Sequence, residues 1–192
     1  MKVFISGGCK NGKSFFAQHL AKETCAMKKT GSLYYIATMK PADKEDDERI
    51  VRHRQEREGW GFITIEQQTD IEKILAKCEH DSVFLLDSLT ALLANEMFLP
   101  DGTVNMNAAE KVASGLIEIV SQIDDIVIIS DYIYGDGQIY DNLTEHYRKS
   151  LAQIDRVAAG QSDIVLEIAF SNVIVHKGRE LFDYKLHDRT HS

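Results

Sequence analysis

Proline is nearly missing from this chain, with two residues in 192, and glycine is held to 12. That composition excludes collagen-like and Pro/Gly-rich disordered organisations. Only three cysteines occur, Cys9, Cys25 and Cys78, odd in number and far apart, so neither a disulfide framework nor a zinc-knuckle spacing is present. Long hydrophobic runs are lacking too: none approaches the ~20 residues of a membrane span. The first residues read as a strand instead of a charged-then-apolar leader, and a cytoplasmic protein is expected. Basic charge is in deficit, with 22 Lys and Arg against 30 Asp and Glu, a net charge of -8. Without a sustained basic stripe, nucleic acid is not expected as the main partner. What is present is 44% apolar and 27% charged residues, enough in a chain of this length to bury about 70% of its surface in one domain.

Short apolar runs alternate with helical patterns along the chain. Strands are expected at residues 2–6, 33–38, 62–66, 83–86 and 126–129, with a closing hairpin from 164–170 and 173–175. Helices are expected at 13–24, 70–79, from Leu89 to Met97, at 107–123 and at 142–159, and Pro100-Asp101-Gly102 breaks the chain. This order implies an α/β phosphate-loop NTPase fold, a mostly parallel sheet with helices on both faces. No repeat or linker divides it, so one domain over residues 1–178 and a carboxyl-terminal tail over 179–192 are expected.

The strongest local signal is Gly7-Gly8-Cys9-Lys10-Asn11-Gly12-Lys13-Ser14, which fits G-x-x-x-x-G-K-[ST] and lies between a strand and a helix, as that motif requires. Its glycines let backbone N–H groups turn toward phosphate oxygens, and the helix amino terminus adds positive potential there. Lys13 would reach the terminal phosphates and Ser14 would ligate Mg²⁺. Asp87, delivered at the end of the apolar run 83–86, reads as the carboxylate that holds the same ion. An Asp that merely suits a turn is the alternative, and the phosphate loop decides against it.

Glu45, Arg49, His53 and Arg57 recur every four residues and would share one face of a helix over 43–58. Guanidinium groups on both sides of His53 disfavour imidazolium, and a neutral imidazole can attack phosphorus. A solvated helix laced with ion pairs would show the same charge run. The residues by themselves leave both readings open.

Several blocks taken together resemble the bifunctional adenosylcobinamide kinase/adenosylcobinamide-phosphate guanylyltransferase family of cobalamin biosynthesis. They are the opening glycine loop, Tyr35-Ile36-Ala37-Thr38, Arg49-Ile50-x-x-His53-Arg54-x-x-Arg57, Thr64-x-Glu66, Leu86-Asp87-x-Leu89-Thr90 with Asn95, and His146-Tyr147-Arg148. The resemblance implies that His53 is guanylylated by GTP and passes GMP to a corrinoid phosphate, after nucleoside triphosphate, GTP or ATP, has phosphorylated adenosylcobinamide. It implies a nucleotide site made of the loop Gly7–Ser14, of Ala37, Thr38 and Met39, of Arg54, Gln55, Glu56 and Arg57, and of Glu66 and Asp87. His53 and Lys13 would be its catalytic residues. The partners it implies are a corrinoid small molecule and further copies of the chain, a trimer by resemblance.

Beside one extra residue between His53 and Phe62, departures cluster in two places. Where the family usually carries Ser-Asn-Glu-Val-Gly-x-Gly, this chain reads Ser130-Asp131-Tyr132-Ile133-Tyr134-Gly135-Asp136-Gly137, and Asp155-Arg156 replaces Asn-Gln in the last long helix. Tyr132, Tyr134 and Tyr140 stand at a strand-end loop, where they either contact a ligand or pack the loop. A phosphate-loop kinase or nucleotidyltransferase with another small acceptor, or a nucleotide-binding regulatory module without turnover, shares the same frame.

Overall fold

Leu86 and Leu85 show how the sheet is built: adjacent in sequence, both fully buried, they face opposite ways. The computed structural model describes residues 1–28, 31–41, 51, 57–170 and 172–187. Seven strands form one sheet: β1 (Lys2–Gly7), β2 (Leu33–Ala37), β3 (Phe62–Glu66), β4 (Val83–Asp87), β5 (Asp125–Ile129), β6 (Ile164–Ala169) and β7 (Asn172–Lys177). Their order is β3-β2-β4-β5-β1-β6-β7, and every pair is parallel except the hairpin β6–β7. Strands buried on both faces read as continuous apolar runs, as 83–86 and 126–129 do. The single α/β domain with its closing hairpin is as the sequence predicts.

The helices are α1 (Lys13–Lys28), α2 (Leu89–Met97), α3 (Ala108–Gln122), α4 (Asn142–Gln161) and α5 (Arg179–His187). Phe4, Ile36, Phe84, Leu86, Ile126 and Ile128 meet α2, α3 and α4 on one face. Val3, Ile5, Tyr35, Leu85, Val127 and Ile129 meet α1 on the other. Among the described residues, no helix is long and apolar enough to cross a membrane.

Three elements differ from expectation. The α1 helix continues past Thr24, whose hydroxyl donates to the Leu20 carbonyl inside the helix, as far as Lys28, which pairs with Asp81 and Asp125 in the last turn. The helix expected over 70–79 is a 3₁₀ helix, Ile71–Ala76, which buries Ile71 and Ile74 at the three-residue period of that geometry. Residues 179–192, set apart above as a tail, begin with α5, whose Phe182 is 7% exposed and packs into the α1-side core. Gly178 permits the return: at φ +76°, a Cβ there would run into the Asp163 carbonyl. The expected segment 43–58 lies outside the described residues apart from Val51, Arg57 and Glu58. Replacing Phe182 by Ala is expected to cost about 3 kcal/mol, read as a lowered midpoint in urea unfolding of the full chain.

Candidate active site

Parallel strands put all their carboxyl ends on one edge, and ligands of open α/β sheets sit there, where strand order reverses. Leaving β1, the chain turns through the phosphate loop, with Lys10 and Gly12 at positive φ, into the amino terminus of α1. Gly7 must be glycine, since a Cβ would meet the Ile168 carbonyl of β6. The Asn11 amide donates to that same carbonyl, tying the loop to the sheet. Lys13 is 5% exposed, and its Nζ donates to the Gly8 carbonyl at 2.6 Å and pairs with Asp131 Oδ1 at 2.8 Å.

Ser14 opens onto a cavity of about 590 Å³ over the ends of the strands. Of the residues the sequence singles out, Ala37, Met39, Arg57, Glu66 and Asp87 line it with Ser14. Arg57 is 6% exposed, lies with its guanidinium carbon 3.5 Å from the centre of the Tyr35 ring, and among the described residues leaves one terminal nitrogen without a hydrogen-bond partner. The Tyr35 hydroxyl donates to Asp87 Oδ2 at 2.8 Å. Burial and the Asp87 charge push that phenol well above its ordinary range, so it stays a neutral donor. One aromatic side chain thus holds both a cation and an anion of the cavity.

Other expected residues fall elsewhere. Gly8, Cys9, Lys10, Asn11 and Gly12 border a shallower hollow beside β6, on the outer side of the loop. Thr38 is fully buried: its hydroxyl donates to the Ser88 carbonyl at 2.8 Å and accepts from the Ser88 N–H at 2.7 Å, clamping the ends of β2 and β4. The Asn95 amide strengthens that clamp by donating to the carbonyls of Thr38 and Gln68. His53, Arg54, Gln55 and Glu56 lie outside the described residues, as do Glu45 and Arg49. Their chain neighbours Val51 and Arg57 both line the cavity.

Sequence reasoning passed over Asp131, Thr90 and Tyr147 as site residues, yet all three line the same cavity. Thr90 joins them: its hydroxyl accepts from the Asp131 N–H at 2.9 Å, and its carbonyl accepts from the Tyr147 hydroxyl at 2.9 Å. Asp131 follows an apolar strand as Asp87 does, which was the available signal. Arg148 pins the loop that runs on from Asp131, pairing with Asp136 and Glu145 at 2.7 Å and donating to the Ile133 and Gln138 carbonyls. Tyr134 donates to Asp155 Oδ2 at 3.0 Å and lies edge-on to Tyr132, while Tyr140 receives the Arg148 guanidinium on its ring. These tyrosines pack the loop and do not line the cavity.

A family model described as cobinamide kinase / cobinamide phosphate guanyltransferase matches residues 3–171. The chain belongs to this family. It is 33% identical over 99 residues to the bifunctional adenosylcobalamin biosynthesis protein CobU of Escherichia coli (strain K12), 51% of each chain. Over 102 residues it is 33% identical to the bifunctional adenosylcobalamin biosynthesis protein CobP of Pseudomonas aeruginosa, 53% of this chain and 56% of that one. The chain therefore aligns with about half the length of these curated relatives. Among solved structures, a KaiC-like protein from Pyrococcus horikoshii OT3 superposes with a TM-score of 0.50, at 14% identity over 93% of this chain and 79% of that one. That likeness concerns the fold alone.

Within α4, the chain buries a carboxyl group. Asp155 is 3% exposed, and its Oδ1 has no hydrogen-bond partner among the described residues. Burial pushes its pKa up to about 6, a shift that the neighbouring Ser130 and Tyr134 hydroxyls offset only in part. The folded state then holds a proton that the unfolded state releases near pH 4, so stability falls as pH rises from about 4 to 6 and levels off above. Asp155→Asn keeps an acceptor for Tyr134 and removes the charge. It is expected to be more stable than the parent by up to about 2 kcal/mol above pH 6.5, an advantage that disappears near pH 4, in urea titrations across that range.

Proposed function

We propose that this protein phosphorylates the side-arm hydroxyl of adenosylcobinamide and then transfers GMP from GTP, through guanylyl-His53, to the phosphate so formed, giving adenosylcobinamide-GDP. The observation that carries this reading is a single cavity shared by Ser14 of the phosphate loop, by Asp87, and by Val51 and Arg57, the residues on either side of 52–56. Family membership supports the substrates, since the matched family is described by both transfers.

Each group has a task that its chemistry fits. The loop N–H groups and Lys13 bind triphosphate oxygens and bear the charge that builds on them during transfer. Arg57, almost dry and with donors to spare, suits the bidentate binding of phosphate. Tyr35 keeps Arg57 and Asp87 in register before any ligand arrives. Among the described residues, no three His, Cys, Asp or Glu side chains form a metal cage. The Ser14 hydroxyl and Asp87 carboxylate supply two hard oxygens to one cavity, which fits Mg²⁺ shared with phosphates. When bound, Mg²⁺ would neutralise phosphate charge between them. His53 would attack the α-phosphorus of GTP, with pyrophosphate leaving, and the acceptor phosphate would then displace the histidine.

Incubation with α-labelled GTP and Mg²⁺ tests the covalent step, and acid-labile, base-stable label on the protein is expected of a phosphoramidate. His53→Asn is expected to abolish that label while nucleotide binding, followed by calorimetry, stays within a few-fold. Equal labelling of mutant and parent would remove His53 from its role. Lys13→Ala is expected to slow phosphorylation and guanylylation together, each by about 100-fold, because one cradle serves both. Rates measured separately with adenosylcobinamide and with its phosphate would show two triphosphate sites if only one of them fell.

A further inference from the structure

Among the described residues, three acidic side chains line the cavity, those of Glu66, Asp87 and Asp131. Distance separates their tasks. Neighbouring strands lie about 4.8 Å apart, so with the order β3-β2-β4-β5-β1 the end of β3 is about 19 Å from the phosphate loop, the end of β4 about 10 Å, and the end of β5 about 5 Å. Glu66 ends β3 and is remote from the terminal phosphate. Asp87 ends β4 and is turned to Tyr35 through Oδ2. Asp131, just past β5, has its Oδ1 2.8 Å from Lys13 Nζ, the group that goes to the terminal phosphates when nucleotide binds.

Asp131 is also fixed in place. Its N–H is held by Thr90 Oγ1 at 2.9 Å, and the chain that follows is pinned by Arg148. Its side chain keeps 22% exposure, and it lines the cavity beside Ser14 and Asp87. Lys13 pairs with this carboxylate. Once Lys13 turns to phosphate, the carboxylate is left next to the γ-phosphate with a vacant acceptor oxygen.

We propose that Asp131 is the general base of the phosphorylation step, taking the proton of the acceptor hydroxyl as Lys13 leaves it for the nucleotide. In that step the hydroxyl oxygen forms a bond to the γ-phosphorus. The bond from that phosphorus to the β,γ-bridging oxygen breaks, its electron pair departs with the nucleoside diphosphate, and the hydroxyl proton ends on an Asp131 carboxylate oxygen. Guanylyl transfer to a phosphate acceptor has no hydroxyl proton to remove, so the two half-reactions should differ in their need for this carboxylate. The assignment rests on the proposed function and names a catalytic residue within it.

Asp131→Asn preserves shape and hydrogen bonding while removing the base, and Asp131→Glu restores a carboxylate. Each full-length variant is assayed for phosphorylation of adenosylcobinamide with ATP or GTP, and for covalent labelling by α-labelled GTP. For Asp131→Asn, phosphorylation is expected to fall about 100-fold or more, at least 30-fold further than labelling falls, with Asp131→Glu recovering part of the loss. Parallel loss of both activities would make Asp131 only a support for Lys13 and overturn the assignment. Phosphorylation at the parental rate by Asp131→Asn would overturn it alone, leaving the proposed function standing. A parent protein that labels with GTP but leaves adenosylcobinamide unphosphorylated overturns the kinase half of the function and this assignment with it.

Discussion

Burial of β1, β4 and β5 on both faces is the constraint from which the rest follows. Their side chains point alternately into two apolar layers, one under α2, α3 and α4 and one under α1, so neither face of the central sheet has room for chemistry. Polar groups can meet only at the strand ends, where backbone N–H groups and carboxylates are released from the ladder. Gly7, Asp87 and Asp131 all stand at that edge because their strands run the same way. An antiparallel β5 would have sent Asp131 to the opposite edge of the sheet, away from Lys13.

Tyr35 shows how a buried scaffold residue can organise charges. Its ring belongs to the apolar core on the α1 side, yet the hydroxyl reaches Asp87 and the ring face carries Arg57. A guanidinium is costly to bury in so dry a place, and the π face offsets part of that cost, while among the described residues one terminal nitrogen keeps its donors for a ligand. A second such arrangement lies after β5, where Arg148 through Asp136 and Tyr134 through Asp155 tie the loop to α4.

Much of this could be read from local pattern. The strands at 62–66 and 83–86 are bounded by polar residues and glycine, and the glycine loop has a spacing with a mechanical meaning, so both are visible in a short window. Features that depend on spatial neighbours were not visible. Ile71 and Ile74 are compatible with either an α or a 3₁₀ helix, and tertiary packing chose the tighter one. Phe182 is a lone aromatic in a polar stretch, and only the turn at Gly178 returns it to the sheet. Asp131 looked like a departure in a loop because nothing local tells that β5 is inserted between β1 and β4. Thr38 matched a motif, but its hydroxyl is spent on the Ser88 backbone.

The two clusters of departure prove to be one structural unit. Tyr134 and Asp155, far apart in sequence, share a hydrogen bond of 3.0 Å, and Tyr132 packs edge-on against Tyr134. Ligand contact is not needed to explain these tyrosines, since loop packing accounts for both rings. Gly135 fits the same account, because a Cβ there would strike the Tyr132 ring. The loop is thus held by its own aromatic contacts and by Arg148, while only its first residue, Asp131, lines the cavity. Change in the loop beyond that residue can alter how firmly Asp131 is presented without altering the lining of the cavity. The substitution at Asp131 itself changes the chemistry, for a carboxylate can accept a proton and an amide cannot.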